Sequence, residues 1–245
     1  YMMGTVLRHG SAQQKQQFLP EIASGELRLQ AFGVTEPNTG SDTTRLRTLA
    51  IRDGNEYVVN GQKIWTSRAE YSDLLLLLAR TTPLEETQSR REGLSVFLVD
   101  MRSVEGLEIR PIRTMINHAT TELFFTDMRI PVDSLIGEEG QGFSYFLDGM
   151  NAERILIGSE SIGDARFFIE RATQYAKDRD IFGGPIGKNQ GIQFPIARAY
   201  ANMAAARLMV FKAAALFEAG EAAGPSANMA KLLACLLYTS PSPRD

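Results

Sequence analysis

The stretch Phe32 to Asp42 reads F-G-V-T-E-P-N-T-G-S-D and stands where the sequence changes from a helical to a strand-like pattern. Pro37 has a fixed φ and favours an extended residue before it, whereas Gly40 permits a positive φ, so the stretch is predicted to form a shaped turn. Its hydroxyl and carboxylate side chains are Thr35, Ser41, Glu36 and Asp42. A turn with several free N–H and O–H donors can hold an anion or the polar edge of a flat ring. An ordinary polar loop is the alternative interpretation.

Hydrophobic periodicity divides the rest of the chain into three parts. Residues 1–31 are predicted to be helical, since strong helix formers dominate the middle of this segment. Residues 32–142 contain short strand-like runs separated by turn signals, which is typical of a small antiparallel barrel or sandwich. Residues 143–237 return to a helical period, with an Ala-rich run that favours close helix packing. The last residues, 238–245, are interpreted as a disordered or foreign tail.

The strand-like part is predicted to contain six runs, bounded by Leu46–Arg52, Glu56–Val59, Leu74–Ala79, Leu94–Val99, Leu107–Ile112 and Glu122–Phe125. The dipeptides Asp53-Gly54 and Asn60-Gly61 are typical of tight hairpin turns. Leu74–Ala79 is apolar throughout, which indicates a strand buried on both faces, although so short a run can also be part of a helix. Pro83 and its polar neighbours predict a loop.

Composition excludes several classes of protein. The net charge is −3 and no long basic run occurs, which argues against a nucleic-acid partner. A single cysteine, Cys235, excludes an internal disulfide framework and is typical of a reducing compartment. Together with two histidines, His9 and His118, it does not supply an ordinary zinc site. No apolar run is long enough for membrane insertion and no signal peptide is visible. We therefore expect a soluble protein of a reducing compartment.

Common nucleotide-binding and nucleophile patterns are also missing. No G-x-G-x-x-G motif follows a strand, so a Rossmann domain is not supported. The stretch Gly183 to Asn189 resembles a phosphate loop, but it is one residue short and has Asn where Ser or Thr should bind the metal. Neither histidine stands in a context that indicates a Ser/His/Asp set.

A series of short motifs resembles the acyl-CoA dehydrogenase family. The motifs are V-T-E-P-x-x-G-S-D at Val34 to Asp42, N-G-Q-K-x-W at Asn60 to Trp65, F-x-D-x-x-x-P at Phe125 to Pro131, G-x-G-F at Gly140 to Phe143, A-E-R at Ala152 to Arg154, and R-x-x-F-G at Arg179 to Gly183 with Gln190 downstream. Each motif alone is weak, but their shared order along most of the chain is a strong signal.

The resemblance implies a multidomain α+β fold that is incomplete at both ends. Residues 1–31 would be the end of an N-terminal helical domain, and residues 32–142 a central antiparallel β-barrel. Residues 143–237 would be part of a C-terminal helical bundle, followed by the tail at 238–245.

The resemblance also implies FAD as the cofactor. The residues implied to bind it within one subunit are Phe32, Val34, Thr35, Ser41, Trp65 and Ser67. Those implied in the helical part are Arg179, Phe182 and Gln190, of which Arg179 and Gln190 would reach the FAD pyrophosphate of a neighbouring subunit. Family members often have Trp-Ile-Thr where this chain has Trp65-Thr66-Ser67, and a small Gly/Ala pair where it has Asn38-Thr39. On pattern alone, Trp65 can also be an ordinary core or edge aromatic residue, and Arg179 a capping charge at the end of a helix.

Glu153 is predicted to be the catalytic base. Phe146, Met150, Glu153 and Ile157 fall on one face of a helix, so a carboxylate is set into an apolar stripe. A buried carboxylate is a stronger base toward a carbon acid. A solvated or salt-bridged Glu153 is the alternative, and Glu160 is a rival one turn further along. The family favours Glu153, because a subset of its members carries the base here in a Glu-Arg pair. The residues implied to contact the substrate are Ser41, Asn151 and Arg154.

The implied activity is the FAD-dependent α,β-dehydrogenation of an acyl-CoA thioester to the trans-2-enoyl-CoA, as in fatty-acid β-oxidation. The base takes the α-proton, and the β-hydrogen leaves as hydride to flavin N5. An electron-transferring flavoprotein is the implied electron acceptor, and the implied assembly is a homodimer or homotetramer. Two alternatives remain open: an acyl-CoA oxidase that uses oxygen, and a catalytically inactive fragment or assembly protein of the same fold.

Overall fold

A computed structural model describes residues 2–115 and 119–237. Contacts divide the chain into two compact units, Tyr1–Gly149 and Met150–Asp245. The predicted tail at 238–245 and His118 lie outside the described residues. The division into three domains at residues 31 and 142 stays a prediction.

The first unit begins with two short helices, α1 (Met2–His9) and α2 (Ala12–Ser24). The hydroxyl of Ser11 accepts a hydrogen bond from the Gln14 N–H at 3.1 Å, and the Gln14 side chain accepts one from the Ser11 N–H at 2.9 Å. This capping box satisfies two N–H groups that the start of a helix leaves unpaired. Gly25, with φ 85°, ends α2 in a left-handed conformation that a glycine adopts without strain.

An eight-stranded sheet forms the body of the first unit. Its strands are β1 (Leu29–Gly33), β2 (Leu49–Asp53), β3 (Glu56–Ser67), β4 (Leu74–Arg80), β5 (Leu94–Asp100), β6 (Leu107–Pro111), β7 (Thr120–Pro131) and β8 (Leu135–Ile136). The pairing order is β6-β7-β3-β2-β4-β5-β8, and β1 lies parallel to β4 outside this path. Among the described strands, β6 and β8 at the two ends are not paired with each other, so the sheet is a barrel only in a loose sense.

Strand β4 is the centre of this unit. Every residue from Leu74 to Ala79 is fully buried, which confirms the prediction of a strand covered on both faces. The strand pairs with β5 along its whole length, and β1 lies parallel to it. Because both faces of the strand are buried, its sequence is a continuous apolar run and not an alternation of apolar and polar residues.

Two boundaries predicted from the sequence are wrong. The helical pattern assigned to residues 1–31 ends earlier, because β1 begins at Leu29. A hairpin turn is not present at Asn60-Gly61, since β3 runs through both residues. Gly61 has a φ of 149°, and a Cβ there would lie 2.6 Å from the Thr48 hydroxyl, so a close approach of two backbones requires this glycine. The pairing of β3 with β7 has a bulge at this point, and its extra residue lies on β7. There the Asp127 N–H donates to the Asn60 side chain at 2.9 Å.

A second irregularity in β3 reverses the direction of its side chains. Lys63 pairs with Leu123 and Thr66 pairs with Thr121, so β3 advances three residues while β7 advances two. Two residues that are two positions apart face the same side of a regular strand. Here Lys63 is fully buried, whereas Trp65 is 57% exposed and has a φ of 62°. The bulge therefore allows one short stretch to supply a buried cation and an exposed aromatic ring.

The second unit is helical. Helix α3 (Gly142–Asp178) begins in the first unit and continues through the boundary, and it is followed by α4 (Gln190–Glu218) and α5 (Gly224–Cys235). A two-stranded hairpin of β9 (Asp180–Ile181) and β10 (Gly184–Pro185) lies between α3 and α4. The core of this unit consists of small and branched residues, chiefly Ile155, Ile162, Val210, Ala213, Ala227 and Ala230. None of the described helices combines the length and the apolar character that crossing a bilayer requires.

The bulge in β3 leaves one polar group unpaired. The hydroxyl of Thr66 is buried and is the one buried side-chain nitrogen or oxygen without a hydrogen-bond partner in the part of the chain that the structure describes. By contrast, the equally buried hydroxyl of Thr121 donates to the Thr66 carbonyl at 2.8 Å. The two threonines face each other in one ladder and differ in hydrogen bonding, so they form a matched pair.

Thr66→Val is expected to raise the free energy of unfolding by about 1 kcal/mol, because it removes an unsatisfied buried hydroxyl. Thr121→Val is expected to lower that free energy by about 1 kcal/mol, because it removes a hydrogen bond that is made. Urea denaturation with an unchanged m-value measures both effects. A Thr66→Val variant less stable than its parent would contradict the assignment of Thr66 as unpaired.

Candidate functional site

The turn that follows β1 is closed by backbone hydrogen bonds. The Glu36 N–H donates to the Thr39 carbonyl at 2.9 Å, and the Thr39 N–H donates to the Glu36 carbonyl at 3.0 Å. Pro37 lies between them, and the buried Thr39 hydroxyl donates to the Asp42 carbonyl at 3.0 Å. The shaped turn predicted from Pro37 and Gly40 is confirmed, although Gly40 does not adopt a positive φ.

A buried ion pair lies directly beneath this turn. The Lys63 ammonium is 2.9 Å from Glu36 Oε1, and the two side chains are 0% and 5% exposed. The same ammonium donates to the Val34 carbonyl at 3.1 Å. The carboxylate of Glu36 also accepts the N–H groups of Arg47 at 2.7 Å and Thr48 at 2.9 Å. Charges taken out of water are stable only when paired and hydrogen-bonded, and this pair meets both requirements.

The pKa values of the two groups reflect this environment. Burial raises the pKa of Glu36, but the charge and hydrogen bond of Lys63, with the hydrogen bonds from Thr48 and Arg47, outweigh burial and hold the pKa below its ordinary value. Burial lowers the pKa of Lys63 to about 8, against the opposing effect of Glu36. Both groups are therefore predominantly charged at neutral pH.

The turn and β3 are joined at the point where the predicted site residues meet. The Ile64 N–H donates to the Thr35 carbonyl at 2.8 Å. A Cβ on Gly33 would lie 3.4 Å from Lys63 Cγ, so the two segments are in close contact. The structure thus brings the backbone of Val34 and Thr35 beside Lys63 and Ile64, the residues that precede Trp65. Farther back on β1, the Phe32 ring lies 5.9 Å from the ring of Phe146.

Strained backbone is concentrated at the end of β3. The φ values of Trp65, Arg68 and Ala119 are 62°, 60° and 51°, which lie in a region that residues other than glycine rarely adopt. The Arg68 N–H donates to the Ala119 carbonyl at 2.8 Å, so two of the three are directly linked. Ser67 is exposed here beside the exposed ring of Trp65. Because strain persists where the surroundings enforce it, often at ligand sites, these outliers favour a functional role.

Ser41 belongs to a different hydrogen-bonded segment. It is exposed, and its neighbour Asp42 accepts a bond from Thr44 at 2.5 Å and lies 3.5 Å from the Arg90 guanidinium. Burial and the hydrogen bond from Thr44 act on Asp42 in opposite directions, and the stronger effect of Thr44 lowers the pKa of Asp42.

Sequence reasoning missed two buried cations, Lys63 and Arg80, that hold these segments in place. The guanidinium of Arg80 is 1% exposed and donates to the carbonyls of Thr44, Leu46, Arg90 and Glu92. It therefore joins the segment after Ser41 to the loop before β5. A basic residue at an inward position of a strand is the signal that would have found both cations.

In the second unit, the β9–β10 hairpin presents two of the predicted site residues. Phe182 and Gly183, with φ values of 54° and 81°, form the turn at its tip, and positive φ at both central positions defines a type I′ turn. The Phe182 side chain is 106% exposed. At the base of the hairpin, the Arg179 carbonyl accepts the Ile186 N–H at 2.9 Å. The third residue, Gln190, is exposed at the first position of α4.

The predicted base and two of the three predicted substrate residues lie on α3, whereas Ser41 lies in the first unit. Asn151, Glu153 and Arg154 are all half-buried, and the Arg154 guanidinium donates to Asn151 Oδ1 at 2.9 Å. Glu160, the rival carboxylate, is exposed. Of the two carboxylates, Glu153 is therefore the less exposed one.

Two family models match the chain. Residues 31–128 match the acyl-CoA dehydrogenase middle domain, and residues 140–240 match the acyl-CoA dehydrogenase C-terminal domain. Among curated relatives, a cyclohex-1-ene-1-carbonyl-CoA dehydrogenase of Syntrophus aciditrophicus is 35% identical over 236 residues, which are 95% of this chain and 56% of the relative. An acyl-CoA dehydrogenase of Bacillus subtilis is 37% identical over 232 residues, which are 94% of this chain and 60% of the relative.

A solved structure supports the same relationship. The butyryl-CoA dehydrogenase of Megasphaera elsdenii superimposes with a TM-score of 0.88 at 29% identity, over 96% of this chain and 61% of that protein. The chain thus spans less than two thirds of the length of these relatives. By the motifs, the fold and both family models, the chain belongs to the acyl-CoA dehydrogenase family.

Proposed function

We propose that the protein catalyses the FAD-dependent α,β-dehydrogenation of an acyl-CoA thioester to the trans-2-enoyl-CoA. The observation that carries this proposal is the junction of the turn after β1 with the strained end of β3, where Thr35 and Ile64 share a backbone hydrogen bond of 2.8 Å. The names of the relatives add support, since a cyclohexenecarbonyl-CoA and a butyryl-CoA dehydrogenase each act on a CoA thioester.

The residues at this junction suit a flavin. The exposed ring of Trp65 and the half-buried ring of Phe32 offer aromatic surface, and Thr35 and Ser67 offer hydroxyl groups for polar ring atoms. Val34 supplies backbone at the same edge, and Ser41 is proposed to reach either the flavin phosphates or the CoA portion of the substrate. When bound, FAD supplies the acceptor for two electrons and the β-hydrogen.

Glu153 is proposed to take the α-proton of the substrate on a carboxylate oxygen. Its half-buried position on α3 limits the competition of water for that carboxylate. Arg154 and Asn151 are proposed to bind the CoA portion, because a guanidinium held in place by an amide is well suited to phosphate oxygens. In this arrangement Glu153 performs the proton chemistry and its neighbours orient the thioester.

Arg179, Phe182 and Gln190 are proposed to contact the FAD of a neighbouring subunit, which makes the protein a homodimer or a homotetramer. A fully exposed phenylalanine at a strained turn position is costly in a monomer, and a partner surface would explain it. An electron-transferring flavoprotein is proposed as the electron acceptor. The single cysteine supports a reducing compartment, the bacterial cytoplasm or the mitochondrial matrix.

The flavin assignment is tested with Trp65→Ala and Ser67→Ala. Each variant is expected to bind FAD about tenfold more weakly or worse, because it removes ring contact or a hydrogen bond. Tyr71→Ala is the matched control, since Tyr71 is 55% exposed in the same unit. Affinity and the visible flavin spectrum are measured by titration. FAD binding and a spectrum equal to those of the parent in both variants would reject the site.

The base assignment is tested with Glu153→Gln, with Glu160→Gln as its control. The Glu153 variant is expected to keep its FAD and bind acyl-CoA, yet reduce its flavin more slowly by more than the ~10²–10⁴-fold of a typical acid–base group. Anaerobic bleaching of the flavin in a stopped-flow instrument measures this rate. Near-parental bleaching by the Glu153 variant would place the base elsewhere, whereas loss in the Glu160 variant would select the rival.

The assembly is tested with Phe182→Ser. Because a closed symmetric interface uses the same patch on both copies, one substitution removes two contacts. The variant is expected to sediment at a lower mass than the parent at equal concentration. Ile51→Ser is the control, since Ile51 is an exposed apolar residue of β2. A parent that sediments as a monomer with FAD bound would reject binding across subunits.

A further inference from the structure

We propose that the buried pair of Lys63 and Glu36 is a positioning device, which holds the turn after β1 and the ring of Trp65 in the arrangement that the candidate flavin site requires. The role in FAD binding rests on the proposed function. The role in fixing Trp65 rests on the geometry of the first unit alone. Neither residue is proposed to touch the cofactor.

The first argument is the set of groups that Lys63 binds. Its ammonium donates to the Val34 carbonyl at 3.1 Å and to Glu36 Oε1 at 2.9 Å. Val34 and Glu36 are the residues immediately before and after Thr35 in the sequence. The backbone of Thr35 is therefore held between two contacts with a single cation. A third contact, from the Ile64 N–H to the Thr35 carbonyl at 2.8 Å, comes from the residue that follows Lys63.

The second argument is the bulge in β3. Lys63 and Trp65 are two residues apart, yet the lysine is 0% and the tryptophan 57% exposed. The extra residue between Lys63 and Thr66 accounts for this reversal, and Trp65 adopts a φ of 62° to accommodate it. A strained conformation persists only when its surroundings enforce it. Two features hold Trp65 in this conformation. The ammonium of Lys63 is anchored at one end of the bulge, and Thr66 pairs with Thr121 at the other end.

The protonation of Lys63 makes the positioning role of the pair measurable. Burial brings the pKa of Lys63 to about 8, with Glu36 acting in the opposite direction. Glu36 is the charged group that acts on Lys63, and Glu36 in turn interacts electrostatically with Arg80 on β4. As the pH rises through about 8, Lys63 loses its charge while Glu36 stays ionised, so the ion pair is lost. The turn is then no longer held by an ammonium group, so the surroundings of the Trp65 ring are expected to change. Because the pKa of Lys63 lies below its ordinary value of 10.5, this deprotonation does not lower the free energy of unfolding.

Trp65 reports on this directly, because it is the only tryptophan of the chain. Its fluorescence in the 245-residue protein without FAD is expected to change with a midpoint near pH 8. Lys63→Met should abolish the transition. Glu36→Gln should move the midpoint to lower pH, because the Glu36 charge raises the pKa of Lys63. Lys212→Met, at an exposed lysine of α4, should retain the parental transition. A parental profile in both Lys63→Met and Glu36→Gln would overturn the proposal.

The double variant Lys63→Met/Glu36→Leu keeps the test valid if a single variant fails to fold. Replacing both partners of a buried pair by apolar residues often preserves or increases stability, whereas removing one partner leaves an unpaired charge. The folded double variant is expected to lack the fluorescence transition and to bind FAD at least about tenfold more weakly than the parent. Parental fluorescence together with parental FAD affinity would show that the pair only stabilises the fold, and would overturn the proposal.

Two different failures are distinguishable. If the parent binds no FAD, the proposed function fails, but the fluorescence of Trp65 still decides whether the pair fixes the bulge. If the parent binds FAD and the double variant binds it equally well with unchanged fluorescence, the positioning role fails and the proposed function stands.

Discussion

A charged lysine inside a sheet is a severe physical constraint, and the first unit is built to satisfy it. Lys63 is fully buried, so its ammonium needs a carboxylate and further acceptors within hydrogen-bonding distance. Glu36 supplies the charge, and the Val34 carbonyl supplies the second acceptor. Glu36 in turn needs donors, which come from the backbone of Arg47 and Thr48. Loss of one partner from a buried pair costs about 3–5 kcal/mol. The turn after β1 is consequently bound to β3 and to the segment that leads into β2.

Most of the regular structure could be predicted because periodicity reports burial. The apolar run of β4 is buried along its whole length, and the buried residues of α4 follow a helical spacing at Met203, Ala206, Val210 and Ala213. The two bulges in the ladder between β3 and β7 could not be predicted in this way, since a bulge depends on the register of two strands that are far apart in sequence. The dipeptide Asn60-Gly61 illustrates the problem. Its glycine is required by the approach of Thr48, and not by a hairpin turn.

The candidate site was only partly accessible to sequence reasoning for a related reason. Thr35 and Trp65 could be singled out by residue type, but nothing local indicates that the Thr35 carbonyl bonds to Ile64, or that Trp65 is turned outward by an extra residue. Where a natural sequence departs from local conformational preferences, the departure often lies at a functional site. Trp65 and Phe182 fit this rule, since each is a large aromatic residue with a positive φ and an exposed ring. Such positions emerge only when backbone angles and exposure are considered together.

The two buried cations of the sheet differ in a way that bears on function. Arg80 binds four backbone carbonyls, and burial lowers its pKa while Glu85 and Glu36 raise it. A guanidinium nevertheless stays charged throughout the physiological range. Burial brings the pKa of Lys63, in contrast, to about 8. The loops that Arg80 joins are therefore held by a charged group throughout that range, whereas the ion pair that holds the turn is present only while the Lys63 ammonium is protonated. Since the pKa of Glu36 is lowered, the stability that this carboxylate contributes is lost at acid pH, as it becomes protonated. The lowered pKa of Lys63 acts in the other direction, because loss of its proton does not lower the free energy of unfolding. The ion pair of Lys63 and Glu36 therefore has one titration on each side of neutrality, whereas Arg80 keeps its charge and its four carbonyl contacts over the same range.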